Sequence, residues 1–396
     1  MIKILYLNPS AHLGGAEWVL YDVVTHLDRH RFQPVVALPK EGPLAESLRE
    51  AGIDVRLIEA FAPLLKLGRY SRWRDYLRVS PALSRALQGG QALSRIVQDE
   101  GVAIIHAHGI KAHLLSALLK PVLHVPIIWH VHDFIGGRRF HRLYRCVAGM
   151  VPSLVIANSR AVADDLGPDP NVVVVYNGVD LQRFSPIRRS AEGGSYHVGM
   201  IGVLAPWKGH GVFLEAARRV SERLENVQFW IVGDEIYDTD GHRGYRRRLE
   251  EWVREAGLHG RVRFTGFCRD VARVIGGLDI VVHASIEPEP FGRVLVEAMA
   301  CGKPVIASRA GGVPEIVEHD VNGLLVTPGD VERLADMILR LLNDADERER
   351  LGRAGRRRVE ERFSLAEQVR RIQRLYESLW PSGTIDEDDR ALAVDR

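Results

Sequence analysis

Short apolar runs alternate with stretches whose apolar residues recur at helical spacing along nearly the whole chain. That rhythm predicts an α/β fold built on parallel sheets. In the first half the runs Ile2–Leu7, Pro34–Leu38, Val55–Ile58, Ile104–His106, Ile127–Val131, Leu154–Ala157 and Val172–Val175 read as strands. The pattern repeats at Val198–Gly202, Phe229–Val232, Val262–Phe264, Ile280–Val282, Val305–Ala307 and Leu324–Val326. Most are continuous rather than alternating, as strands covered on both faces must be. Between the halves, Leu181–Ser195 contains RFSPIRRSAEGGS, a polar Pro/Gly/Ser/Arg stretch with the composition of a linker.

The predicted architecture is therefore two Rossmann-like doubly wound domains facing a cleft, over 1–185 and 196–361. The segment 362–380 is apolar at helical spacing (Phe363, Leu365, Val369, Ile372, Leu375, Tyr376, Leu379) and is expected to cross back onto the first domain. The acidic end, 381–396, reads as a disordered tail. Ligands of such sheets bind outside the carboxyl ends of the strands. The chemistry should come from loops that follow strands, in the cleft between domains.

Bulk composition narrows the classes. A chain of 396 residues is long for one core and suits two domains. With 46% hydrophobic and 26% charged residues it is neither disordered nor fibrous, and a net charge of +2 makes no field that argues for nucleic acid. Only seven of the 53 cationic residues are lysines, so each lysine stands out. Cys146, Cys268 and Cys301 have no paired spacing, which argues against a disulfide scaffold or structural zinc and fits a reducing compartment. The start, MIKILYLNPS, has no apolar stretch of signal-peptide length, and no run of about eighteen apolar residues occurs. The expected address is the cytoplasm.

The first strand is followed by Gly14-Gly15-Ala16-Glu17, opening a helix. Paired glycines let backbone amides at a helix start approach a phosphate, although a plain tight turn explains them equally. There is no GxGxxG, which counts against a dinucleotide dehydrogenase. The second half holds a sharper pattern, Glu287-Pro288-Glu289-Pro290-Phe291-Gly292-Arg293-Val294-Leu295-Val296-Glu297. The prolines force Glu289 into extended geometry ahead of a helix predicted to start near Phe291. The first amides of that helix and its dipole would form an anion site at Gly292. Glu297 would lie about a turn and a half further in, as an acceptor for hydroxyls. A carboxylate, an anion hole and a second carboxylate in series match a sugar, a phosphate and a ribose.

Glu289 and Glu297 within EPFGRVLVEAMACGKPVIAS resemble the signature of glycosyltransferase family 4, the large GT-B group of retaining enzymes. The resemblance extends through Gly14–Glu17, His132-Asp133, Ala157-Asn158-Ser159, Tyr176–Asp180, Pro206-Trp207-Lys208-Gly209, Gly311–Glu315 and Asn322–Leu325. It implies a retaining transfer of a sugar from a nucleotide-sugar donor to a glycan, lipid-linked or small-molecule acceptor, with no metal and no cofactor. By position, Lys208 matches the lysine that neutralises the donor pyrophosphate and Glu297 the residue holding the ribose hydroxyls. Glu289 and the Phe291–Gly292 amides match contacts to the transferred sugar and phosphate. His132 is similar to the histidine beside the reacting centre, and the Gly14–Gly15 loop to the element that closes over donor and acceptor. One position departs: Val203 stands where the family commonly has a second pyrophosphate cation, leaving Arg293 and Arg309 as nearby substitutes.

Further features leave alternatives. His106 and His108 on one strand, with His130, His132 and Asp133 on and after the next, place rings on one side, as metal-dependent hydrolases present ligands. The preferred reading is that His106 and His130 pack while His108, on the acceptor side, and His132 line the cleft. Asp238-Thr239-Asp240 is a DxD in a polar run and reads as a solvated loop. The stretch 63–83 interleaves arginines and Lys66 with Leu, Tyr and Trp, which suits the face of an anionic membrane, an acceptor loop or a snorkelling surface helix. The rival functions are a metal-dependent hydrolase, a periplasmic sugar-binding protein and a non-catalytic binder of sugar nucleotides.

Overall fold

A computed structural model describes residues 1–58, 80–169, 171–187, 194–235 and 244–380. The DxD at 238–240, the tail at 381–396 and nearly all of the basic aromatic stretch at 63–83 lie outside the described residues.

Each apolar run forms a strand, with ends shifted by a residue or two. The first seven are β1 (Ile2–Leu7), β2 (Phe32–Leu38), β3 (Asp54–Leu57), β4 (Ile104–His108), β5 (Ile127–Val131), β6 (Leu154–Ala157) and β7 (Val172–Val174). They make one parallel sheet in the order β3-β2-β1-β4-β5-β6-β7. The others are β8 (Tyr196–Ile201), β9 (Val227–Val232), β10 (Val262–Gly266), β11 (Ile280–His283), β12 (Val305–Ser308) and β13 (Leu324–Val326). They make a second parallel sheet in the order β10-β9-β8-β11-β12-β13. Each order reverses once, between β1 and β4 and between β8 and β11. Such a switch point opens a crevice at the carboxyl ends of the central strands.

The chain divides into two units, one of residues 1–177 with the helix Leu365–Leu379 and one of residues 178–364. The central strands explain their own composition: every residue of β4, β5 and β6 is buried. Helices cover both faces of the first sheet, so no position along those strands meets water. Edge strand β3, by contrast, alternates Asp54-Val55-Arg56-Leu57 and keeps partial exposure. Several helices start on side chains that accept from the first turn, Ser159 from the Val162 amide, Asp270 from Arg273 and Asp330 from Arg333.

The end of the chain differs from the single amphipathic helix predicted from residue 362. The helix Ala345–Arg362 stops, Phe363 and Ser364 break the path, and a new helix runs Leu365–Leu379. Phe363 belongs to the second unit, where its ring meets Phe291 edge-on at 5.9 Å and its carbonyl accepts from the Val179 amide at 2.9 Å. Leu365, Val369, Ile372 and Tyr376 are buried in the first unit, in the core that also holds Ile4, Tyr6 and Ile128. The Tyr376 hydroxyl lies 2.6 Å from the Tyr6 hydroxyl and 2.6 Å from His106 Nδ1. Burial at helical spacing was read correctly; the helix break was not, because Phe363 is apolar for the sake of the other unit.

Candidate functional site

The second unit carries its candidate residues at the carboxyl ends of β8 and β11, with the loop after β12 against them. After β8 the chain passes Val203, turns through the short 3-10 segment Pro206–Lys208 and enters the helix His210–Ser221 at Gly209. After β11 it runs through His283, Ser285 and Glu289 to the helix Arg293–Ala300, capped by Gly292. That helix starts two residues later than predicted, because Gly292 adopts φ +102°, outside helical geometry.

Backbone contacts lock these loops together. The Ile286 amide donates to the Trp207 carbonyl at 2.9 Å, and a Cβ on Gly209 (φ +78°) would collide with the Ala284 carbonyl. The loop after β12 closes from the other side: the Gly312 amide donates to the Glu289 carbonyl at 2.8 Å. A Cβ on Gly311 (φ +62°) would collide with that same carbonyl oxygen. Gly209 and Gly311 are therefore spacers that let three loops converge on Glu289.

The side chains complete the arrangement. The Lys208 ammonium donates to Glu289 Oε1 at 2.9 Å and Oε2 at 2.7 Å, with the two side chains 20% and 18% exposed. Ser285 Oγ donates to Oε2 at 3.2 Å, and His283 Nε2 stands 3.4 Å from it. Burial works against ionisation of Glu289, but Lys208 and His283 outweigh it and hold the carboxyl well below the usual range. One turn into the next helix, Arg293 Nε donates to Glu297 Oε1 at 2.7 Å, both side chains mostly buried. Phe291 is buried beside these residues, Val203 is half-buried and Arg309 is exposed. The structure thus joins Lys208 to Glu289 and Arg293 to Glu297. Neither pairing was predicted, although i,i+4 spacing was a signal for the second. His283 and Ser285 were missed as well; their HxS spacing at the end of a strand was the available signal.

The first unit carries its candidates at the ends of β1, β4 and β5. Gly14 caps the helix Gly15–His26, and its amide donates to Glu17 Oε2 at 3.1 Å. Burial, opposed by the amide contacts and aided by the charge of Asp133, raises the Glu17 carboxyl above its ordinary value. His106, His108, His130 and His132 share one face of β4 and β5 as a continuous stack, with ring centroids 4.1 to 5.4 Å apart between neighbours. His132 Nε2 lies 3.2 Å from His108 Nδ1. His108 is fully buried rather than lining a crevice; His132 is the member that retains exposure. Ring nitrogens of His106, His108 and His130 lie within 4.8 Å of one another, the one set among the described residues that could hold a metal ion. Ring planes of His106 and His108, and of His106 and His130, are near parallel, at 29° and 23°. His108 and His130 are tilted at 49°; lone pairs lie in the ring planes, so the two near-parallel pairs with His106 do not aim at one ion without turning.

No described helix is long and apolar enough to cross a membrane.

Comparison with known proteins agrees with this layout. Residues 13–183 match the Glycosyltransferase Family 4 domain and residues 184–358 the glycosyl transferases group 1 domain. An uncharacterised glycosyltransferase of Methanocaldococcus jannaschii is 30% identical over 304 residues, covering 72% of this chain and 78% of its own. The phosphatidyl-myo-inositol mannosyltransferase of Mycobacterium leprae is 29% identical over 370 residues, covering 86% and 92%. Among solved structures, HepE of Anabaena in complex with UDP and glucose superposes with a TM-score of 0.80 at 28% identity, covering 96% of this chain and all of its own.

Proposed function

We propose that this chain, which belongs to the glycosyl transferases group 1 family and is a glycosyltransferase, moves a sugar from a nucleotide-sugar donor to its acceptor with retention at the anomeric carbon. The carrying observation is the Lys208–Glu289 pair, held by three loops at the switch point of the second sheet. The acceptor class is a glycan, a lipid-linked sugar or a small molecule. HepE, crystallised with UDP and glucose, makes a UDP-sugar the first donor to test.

In this reading the diphosphate lies against Lys208 and the start of the helix Arg293–Ala300, and the sugar hydroxyls face Glu289. A pocket whose ammonium already has a carboxylate partner carries no orphan charge before the donor arrives. As the bond to the sugar breaks, charge builds on the departing phosphate, where the fixed ammonium and the helix amides stabilise it. The leaving phosphate takes the acceptor's proton, with both partners on one face of the sugar. Two flanking carboxylates of the glycosidase kind play no part.

The donor diphosphate meets its counter-charge in Lys208, so turnover should persist in EDTA at its untreated rate. Loss of turnover on chelation, restored by Mn²⁺ or Mg²⁺, would return the histidine stack and Asp238–Asp240 to consideration.

Glu297→Gln tests the donor site. Glu297 is read as accepting from the ribose hydroxyls while Arg293 holds it in place at 2.7 Å. A neutral amide accepts more weakly from hydroxyls and no longer pairs with the guanidinium. The Kd for UDP-glucose should rise by roughly tenfold to a hundredfold, about 1.5–3 kcal/mol, with the thermal midpoint little changed. Calorimetry returning the wild-type Kd would remove Glu297 from the donor site.

A further inference from the structure

One face of the first unit combines exposed apolar side chains with exposed arginines. The helix Ile110–Leu119 and the helix His141–Ala148 pack on the same face of the first sheet, through Ala112, Leu115 and Leu119 from one and Tyr144 and Ala148 from the other. His113 Nδ1 and the Tyr144 hydroxyl, 2.7 Å apart, tie the two helices together, and both rings lie against Trp129. With their inner sides committed, the helices present Leu114 (43% exposed), Leu118 (65%) and Leu143 (62%) outward, and Phe140, just before the second helix, is 51% exposed. Leu114 and Leu118 are four apart and so share one side of their helix. Side chains of this size exposed together mark an interaction surface more often than a plain solvated one.

Charge selects the partner. Between residues 110 and 150 the sequence has six lysines and arginines against a single acid, Asp133. Arg145 is turned toward Asp165, and Arg138 reaches Asp133 at 3.5 Å. Arg139 and Arg142 remain exposed, flanking Phe140 and Leu143 in the sequence. Burial, and then the charge of Arg138, lower the Lys111 ammonium below its ordinary value. Leucine and phenylalanine at the level of arginine suit an interface where apolar groups enter acyl chains and guanidinium groups meet phosphates.

We propose that this face, formed by Leu114, Leu118, Phe140 and Leu143 with Arg139 and Arg142, docks the enzyme on an anionic lipid surface. It shares no residue with those assigned to the donor, so it stands independently of the donor reading.

The test is co-sedimentation of the full chain with phosphatidylcholine vesicles, with and without phosphatidylglycerol, at low salt. Wild type should partition onto the anionic vesicles and be released by salt. Arg139→Ser with Arg142→Ser should lower the partition coefficient about tenfold or more. Leu118→Ser with Leu143→Ser should lower it comparably, while both variants keep the wild-type thermal midpoint and Kd for UDP-glucose. Wild type that stays in the supernatant overturns the proposal. So does either double variant binding as wild type does, which moves the contact elsewhere, for instance to 63–83. A wild-type dimer that ignores vesicles and that Leu118→Ser with Leu143→Ser dissolves would make the face a contact between copies, and would overturn it too.

Discussion

Lys208→Ala should lower kcat/KM for the nucleotide-sugar by at least about a hundredfold, roughly 2.7 kcal/mol of transition-state stabilisation. A diphosphate brings about two negative charges that are costly to take out of water unpaired. In the proposed site Val203 stands where the resemblance leads one to expect a second cation, so more of that charge would fall on Lys208 and the helix that follows Glu289. The structure adds a second loss. Removing the ammonium leaves the Glu289 carboxylate with only Ser285 and His283 for partners. Its pKa would then climb, because burial would no longer be outweighed. The variant should therefore show damage at Glu289 as well, seen as a new acidic limb in the pH profile of kcat/KM. Lys208→Arg should recover only part, since a planar fork does not replace a point charge held against both oxygens of one carboxylate. An alanine variant keeping more than a tenth of wild-type kcat/KM sinks the site assignment, and Arg293 or Arg309 becomes the cation to test.

Mild acid should destabilise the first unit. His106, His108 and His130 are held neutral far below the ordinary imidazole range, by burial first and then by neighbouring rings. Burial takes His113 down to about 3 and His132 down to about 4. Below about pH 6.5 the unfolded chain binds protons that these folded rings refuse. Their contribution to stability is thus complete above that pH and is lost as pH falls toward the folded values. At pH 5 each fully buried ring costs about 2 kcal/mol, a large share of a domain's stability when several act together. Glu17 acts in the opposite sense, since its raised pKa favours the folded state on acidification, but it is one group against five. Tyr6 and Tyr376, packed on His106, are pushed up by burial and do not titrate in this window. The urea midpoint of the first unit, followed by hydrogen exchange, should fall by more than about 1 M between pH 7.5 and 5.0. A midpoint that holds steady across that interval would mean the stack admits water or protons in solution.

The strands were legible because a strand covered on both faces has to be apolar throughout, and a run such as IIWHV carries that requirement in its letters. The Lys208–Glu289 contact was not, for a different reason. The two residues are 81 positions apart, and each alone reads as a polar residue in a loop. Pro288, Pro290 and Gly292 announced unusual backbone geometry around Glu289. They did not announce that Gly209 and Gly311 permit two other loops to press against it. The histidines show the same division. HxH on β4 announced rings on one side of a strand, whereas the burial of His106 depends on His130 of β5 and on Tyr376 from the far end of the chain.

The order of strands and helices along the chain and the positions that face water or core follow from the sequence alone. They are set by near neighbours: periodicity, proline and glycine geometry, and the need to keep apolar groups dry. Tertiary structure alone decided which charges meet, which histidines lose contact with water, and which of two adjacent apolar residues serves which unit. Phe363 and Leu365 stand two apart, yet one packs on Phe291 and the other in the core with Tyr6. Periodicity reports that a side chain is buried, while the surface that buries it is chosen by how loops and sheets pack across hundreds of residues, as Tyr6 and Tyr376 do from 370 positions apart.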